Sequence, residues 1–168
     1  MQQYLDLVKD ASKILGLSYG QKTLESDELV SRTDAANEPQ LSFPAGDLSS
    51  RYIVVSLDND APYASFNILS PILHWIQADL KVSPATNNLT SEGAAVVNWI
   101  GPDPPPGSGP HRYVFLLYKQ PSNFNSNDHA APGGQAVRLW PRIRWNLAEW
   151  EKKTKVGQPV AVGYFKST

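Results

Sequence analysis

Cysteine is absent from all 168 residues, which removes disulfide frameworks, thiolate nucleophiles and cysteine-ligated zinc together. Charge is also in short supply: Lys+Arg (15) and Asp+Glu (16) nearly cancel to a net −1, with no basic run. A nucleic-acid polyanion is normally met by a basic patch, so no nucleic-acid partner is expected. No apolar run approaches the roughly 20 residues of a membrane span. The first ten residues interrupt their apolar positions with charges rather than forming a secretory signal. The expectation is therefore a cytoplasmic protein with peripheral membrane contact at most. Several enzyme fingerprints are missing as well: there is no Gly-x-Ser-x-Gly elbow, no Walker loop and no dinucleotide-binding glycine motif. The length is sufficient to bury a core without staples, and no repeat or linker divides the chain. A single domain over 1–168 is expected.

What the chain does have is a Pro/Gly-rich stretch from Gly101 to Pro110 that delivers His111, Arg112 and Tyr113 onto the apolar run Val114 to Tyr118. Proline fixes φ and removes N–H donors, while glycine permits close backbone approach, so such a loop is stiff yet admits a ligand near its main chain. An imidazole and a phenol at the mouth of an otherwise apolar strand mark a candidate site. Strand alternation points Arg112 away from His111 and Tyr113, toward a structural ion pair. Upstream, Asp58 ends another apolar run and precedes Asn59, Asp60, Ala61 and Pro62, with His74 further on. Asp60 and Pro62 read as turn formers, Trp99 as core, and His129 as part of a solvated loop.

The remaining pattern is β-rich, with short apolar stretches punctuated by Gly, Pro, Asn, Asp and Ser. Strands are expected near 41–43, 52–57, 74–80, 114–118 and 159–165. Tyr4, Val8, Ala11 and Leu15 recur at helical spacing, which predicts an amphipathic N-terminal helix within residues 1–16 and a β core over 17–168. A second helix is predicted over 146–154, capped by Asn146 with Glu149 as its partner. Residues 120–135, rich in Asn, Ser, Gly and Pro, read as an exposed loop.

The Gly101 to Tyr113 segment, with Asp58 to Pro62 before it, resembles the phosphatidylethanolamine-binding protein family. In that family a Gly/Pro loop runs into Gly-x-His-Arg-Tyr, and an Asp-Pro-Asp-Ala-Pro element lies upstream. The likeness is nearest to the fungal, carboxypeptidase-Y-inhibitor-like branch. It implies a mainly β fold of two packed antiparallel sheets in Greek-key order with a few peripheral helices. It also implies a pocket lined by Asp58, His74, Pro104, Pro105, His111 and Tyr113 that takes a phosphate, a phospholipid headgroup or a lipid-like ligand, with no cofactor and no metal. Partners implied by the resemblance are a phosphate-bearing or lipid-like small molecule and, in inhibitory or signalling members, a protease or a kinase. The residues alone leave a second reading: Asp58, His74, His111 and Tyr113 are also an acid/base set for a cofactor-free lyase, isomerase or cyclase acting on a hydrophobic metabolite. A facial metal triad from Asp58, His74 and His111 is a minor alternative. Two departures stand out. Asn59 replaces the family proline, and Tyr63 to Leu73 is more apolar than the charged stretch usual there, which suits a greasy ligand at the rim.

Overall fold

A computed structural model describes residues 2–131 and 135–168. Eight strands carry the architecture: β1 (Gly16–Tyr19), β2 (Lys22–Thr23), β3 (Gln40–Ser42), β4 (Tyr52–Asp58), β5 (Ile72–Val82), β6 (Asn88–Thr90), β7 (His111–Lys119) and β8 (Ala161–Ser167). Their order is β2-β1-β3-β6-β5-β4-β7-β8, and every neighbouring pair is antiparallel. The mainly β, antiparallel fold read from the sequence is what forms. The strand β5 belongs to both halves of the sheet: its first part pairs with β4, while Lys81 and Val82 pair with β6. Near the end of the part that pairs with β4, Asp79 takes a left-handed φ of 59°, and the register slips opposite Tyr52 to Val54. A bulge of this kind bends a strand and increases its twist, and here it marks where β5 passes from one half to the other.

The central strands β4, β5 and β7 are buried on both faces, and the apolar residues of β4 and β7 alternate between two clusters. Tyr113, Phe115 and Leu117 enter the cluster between the two halves of the sheet, against Leu17, Leu41 and Leu89. Val114, Leu116 and Tyr118 enter the second cluster, with Tyr4, Leu5, Val156 and the partly buried Leu147 and Trp150. This explains why β4 and β7 read as nearly continuous apolar runs. Burying each such side chain contributes roughly 1.5–3 kcal/mol. At the β8 edge Leu15 approaches so closely that a Cβ on Gly163 would collide with its carbonyl, and the Leu15 amide donates to the Val162 carbonyl at 3.0 Å.

The helix α2 (Leu147–Thr154) forms where the capping signal placed it, with the Glu149 amide donating to Asn146 Oδ1 at 3.0 Å. The N-terminal helix differs from its expected form. Only α1 (Gln2–Leu5) is α-helical; residues 6–9 and 11–13 are 3-10 turns separated by Asp10, whose backbone is extended. Asp10 Oδ1 accepts from the Ser12 amide at 3.0 Å and from its hydroxyl at 2.7 Å, local bonds that compete with helix continuation. Even so, Tyr4 and Leu5 are buried, and the Tyr4 hydroxyl donates to Glu151 Oε1 at 3.1 Å. The loop expected at 120–135 contains a 3-10 turn at Ser126–Asp128, and His129 in it stacks on Phe124 rather than standing in solvent. Positions 132–134 of that loop lie outside the described residues. Among the described residues no helix is long and apolar enough to cross a membrane.

Candidate functional site

The site is built at the ends of three adjacent strands. Asp58 closes β4 and is in register with Tyr113 of β7, while His111 opens β7 opposite Ser167 of β8. His74 arrives from β5 by a local irregularity. Ser56 pairs with Trp75 but Leu57 pairs with Leu73, leaving His74 as the extra residue of a bulge. Strict alternation would put Leu73 and Trp75 on one face. The bulge instead lets Leu73 join the outer cluster and Trp75 the inter-sheet cluster, with the His74 ring edge-on to Tyr113 at 5.0 Å and 87°. Bulges recur where a side chain must be re-aimed.

The Asp58, His74, His111 and Tyr113 named from the sequence thus come together, at 3%, 4%, 1% and 0% exposure. They do so under cover rather than on an open wall. His111 Nδ1 lies 2.8 Å from Asp58 Oδ2, and its Nε2 lies 3.2 Å from the Pro62 carbonyl. Both partners accept, so His111 in its imidazolium form satisfies both with N–H donors. Burial opposes that charge, but the Asp58 hydrogen bond and carboxylate outweigh it, and His111 is held above the ordinary histidine value. A histidine so engaged has no N–H left for a ligand while Pro62 stays in place, which narrows the expectation that both histidines donate to an anion.

His74 is held differently. Its Nδ1 lies 2.7 Å from the Ile100 carbonyl, and the Ile100 amide donates back to the His74 carbonyl at 3.1 Å. This two-way clamp fixes the start of the Pro/Gly loop to β5. Burial pushes His74 below the ordinary histidine value, with Arg142 and His111 acting in the same direction. The Tyr113 ring stacks on Phe165 at 5.5 Å; its hydroxyl is buried without a hydrogen-bond partner of normal geometry, although the Asp103 backbone comes near it. Burial, reinforced by the Asp58 carboxylate, drives the phenol's ionisation well upward, so Tyr113 remains an O–H donor.

The supporting shell agrees with the turn and ion-pair readings. The Asp60 amide donates to Asp58 Oδ1 at 2.8 Å. Arg112 grips Asp60 in fork geometry, Nε to Oδ2 at 2.8 Å and Nη2 to Oδ1 at 2.6 Å, and its own amide donates to Oδ2 at 2.8 Å. Burial alone would raise Asp60, but Arg112 wins and holds it below the usual carboxylate range. Pro104 is buried and Pro105 half-buried. Trp99 packs edge-on against Trp75 at 6.2 Å and stacks with Phe115 at 5.9 Å, a core position as expected. Among the described residues no group of three or more His, Cys, Asp or Glu side chains is placed to hold a metal ion, so the facial-triad alternative lacks its geometry.

Three contributors were not apparent from the sequence. Arg32 reaches over the loop, Nη1 to Asp103 Oδ1 at 2.6 Å, Nη2 to the Pro104 carbonyl, and Nε to the Thr168 carbonyl at 2.7 Å. Ser167 sits opposite His111, two residues after the inward-facing Phe165, and its buried hydroxyl is unpartnered. Arg142 is fully buried behind His74, Nη1 donating to the carbonyls of Leu73 at 3.2 Å and His74 at 3.0 Å. Nothing local in the sequence marks these as site residues: they come from three separate segments and meet only after folding.

Comparison with known proteins places this geometry. The sequence profile of the family described as phosphatidylethanolamine-binding protein matches residues 9–165. The carboxypeptidase Y inhibitor of Saccharomyces cerevisiae is 39% identical over 134 residues, covering 68% of this chain and 58% of the inhibitor's length. The Arabidopsis thaliana protein FLOWERING LOCUS T is 30% identical over 151 residues, covering 90% of this chain and 77% of that protein. A crystal structure of carboxypeptidase Y inhibitor complexed with the cognate proteinase superposes with a TM-score of 0.76 at 25% identity, over 99% of this chain and 95% of that one. With the profile match running through Asp58, His74, His111 and Tyr113 to the last strand, the chain belongs to the phosphatidylethanolamine-binding protein family.

Proposed function

We propose that the protein is a small-ligand-binding member of its family, taking a phosphate-bearing or otherwise anionic group at the Asp58, His74, His111 and Tyr113 cluster, with Pro104 and Pro105 in the adjoining wall. The observation that carries this reading is the Tyr113 hydroxyl, fully buried and un-ionised, with the Asp103 backbone near it but no hydrogen-bond partner of normal geometry among the described residues. A buried hydroxyl left unmade costs roughly 1–3 kcal/mol, and a ligand oxygen recovers that. Ser167 adds a second unpartnered hydroxyl on the same face. The exposed Tyr63, Phe66 and Ile68 lie in the segment that follows Pro62, whose carbonyl covers His111; an apolar rim there suits a ligand with a lipid-like portion. The test is thermal unfolding with inorganic phosphate. A ligand present at 100 times its Kd stabilises by about 2.7 kcal/mol, so a concentration-dependent rise in Tm is expected for the native chain and its loss in Tyr113→Phe. An equal rise in both proteins would refute binding through this cluster.

A second reading, inhibition of a carboxypeptidase, is favoured by the 39% identity to the yeast inhibitor and by the fold match to an inhibitor in complex with its proteinase. On this reading the inhibitory surface includes the N-terminal segment 1–16 and does not use the buried cluster. Inhibition of carboxypeptidase Y by the full chain, lost on removing residues 1–16 and kept in Tyr113→Phe, is the expected result; no inhibition at micromolar protein would dismiss it.

A further inference from the structure

Large apolar side chains stand exposed at eight described positions, and five of these, Tyr63, Phe66, Ile68, Leu139 and Trp140, fall in two short segments. Phe66 is 58% exposed and Trp140 82%. The segments are far apart in sequence but lie side by side. The Arg144 amide donates to the Leu69 carbonyl at 3.1 Å, and the Trp145 amide to the Pro71 carbonyl at 2.9 Å. Arg144 Nε donates to the Ile68 carbonyl at 2.8 Å. The first segment is also folded on itself: the Phe66 amide donates to the Tyr63 carbonyl at 2.9 Å, the Leu69 amide to the Ala61 carbonyl at 3.2 Å, and the Ser70 amide to the Asn67 carbonyl at 3.0 Å. Its backbone is thus set before any partner arrives, which lowers the ordering cost of docking. Single exposed apolar residues are ordinary, whereas a concentration of them marks an interaction surface.

The charges around this surface are of one sign. Residues 61–73 contain no Asp, Glu, Lys or Arg, and residues 136–145 contain Arg138, Arg142 and Arg144 with no acid. Arg142 is buried, while Arg138 and Arg144 are exposed, and among the described residues neither of these two forms a salt bridge. Aromatic and aliphatic side chains beside arginine suit the boundary between lipid headgroups and acyl chains. A second copy docked face to face would set these arginines against one another, which disfavours self-association. The whole chain is net −1, so attraction to an anionic surface has to be local to this face.

We propose that this face docks the protein peripherally on a lipid bilayer with anionic headgroups. Trp140, Leu139, Phe66 and Ile68 enter the interfacial zone, and Arg138 and Arg144 lie among the headgroups. The docking goes beyond anion binding at the buried cluster and does not rest on it.

The experiment is co-sedimentation of the full chain with vesicles of phosphatidylcholine alone and of phosphatidylcholine mixed with phosphatidylserine. Each arginine near an anionic surface contributes a factor of about five, so about thirtyfold tighter binding to the anionic vesicles is expected. Trp140→Ser and Phe66→Ser should each weaken that binding by at least about fivefold; both side chains already face solvent, so neither change empties a core position. Leu48→Ser, an exposed apolar residue before the opposite end of β4, and Tyr113→Phe should bind like the native chain. Tryptophan emission should shift to the blue on anionic vesicles, and Trp140→Ser should lose most of that shift. No binding of the native chain to anionic vesicles would overturn the inference and leave phosphate binding at the buried cluster intact. Binding unchanged in Trp140→Ser or Phe66→Ser would overturn it too, since another surface would then hold the lipid. Vesicle binding lost in Tyr113→Phe would replace it with headgroup capture by the buried cluster. A dimer in analytical ultracentrifugation that Trp140→Ser dissolves would assign the face to a second copy of the chain instead.

Discussion

His74 and Ile100 hold each other twice, imidazole Nδ1 to carbonyl at 2.7 Å and amide to carbonyl at 3.1 Å. One residue thereby pins the Pro/Gly loop and keeps a proton on Nδ1 of a site imidazole. Arg142 grips the same bulge from behind through the Leu73 and His74 carbonyls. Changing Arg142 to Met should cost about 3 kcal/mol in urea unfolding, because several buried carbonyls lose their donor at once. In Arg142→Gln the His74 imidazole should titrate at a higher pH by NMR, since a cation that opposes its protonation is gone. An unmoved His74 titration would show that Arg142 acts on packing alone.

The two site histidines should shape stability in opposite directions, one above and one below about pH 6.5. His111, raised in the fold, contributes stability that is present below its unfolded value near 6.5 and is lost as pH rises through its higher folded value. His74 is lowered, so its contribution is present above about 6.5 and is lost as pH falls toward its folded value, because the unfolded chain then binds the extra proton. Urea unfolding from pH 5 to 9 should show an alkaline decline that flattens in Asp58→Asn and an acid decline that flattens in His74→Asn. Identical pH profiles in all three proteins would refute this assignment.

Asp60 is 1% exposed and holds Arg112 in a fork. Asp60→Asn keeps the shape but removes the charge. Because the Arg112 side chain is 30% exposed, the expected loss is about 2 kcal/mol, below the roughly 3–5 kcal/mol of breaking a fully buried pair. Chemical denaturation measures it, and a change under about 0.5 kcal/mol would place the pair among ordinary surface contacts.

Gly163 lies where the Leu15 carbonyl leaves no room for a Cβ. Gly163→Ala should therefore destabilise by about 1–3 kcal/mol through overpacking, despite the gain in strand propensity. A neutral or stabilising result in thermal unfolding would mean that the Leu15 segment yields readily.

Much of this was legible because it is written in local chemistry. The apolar runs ending at Asp58 and following His111 are strands buried on both faces, and the alternation in His111, Arg112 and Tyr113 correctly separated the ion-pairing residue from the two that turn inward. The bulge at His74 was not legible. In the run Ile72 to Leu80 nothing says which of His74 and Trp75 faces inward, and the structure turns both that way by inserting one extra residue. The N-terminal period suggested one helix, but Asp10 and Ser12 satisfy each other locally and stop it. Ser167 and Arg142 carried no signal at all. A serine at a strand end and an arginine among other arginines look like surface until long-range packing buries them.

The most direct test of the site is an NMR titration of the full chain with inorganic phosphate, following the imidazole signals of His74 and His111. The account expects a saturable shift at both, abolished in Tyr113→Phe, with His129 unmoved. Phosphate that leaves His74 and His111 unchanged up to millimolar concentration, or that shifts only His129, would contradict it.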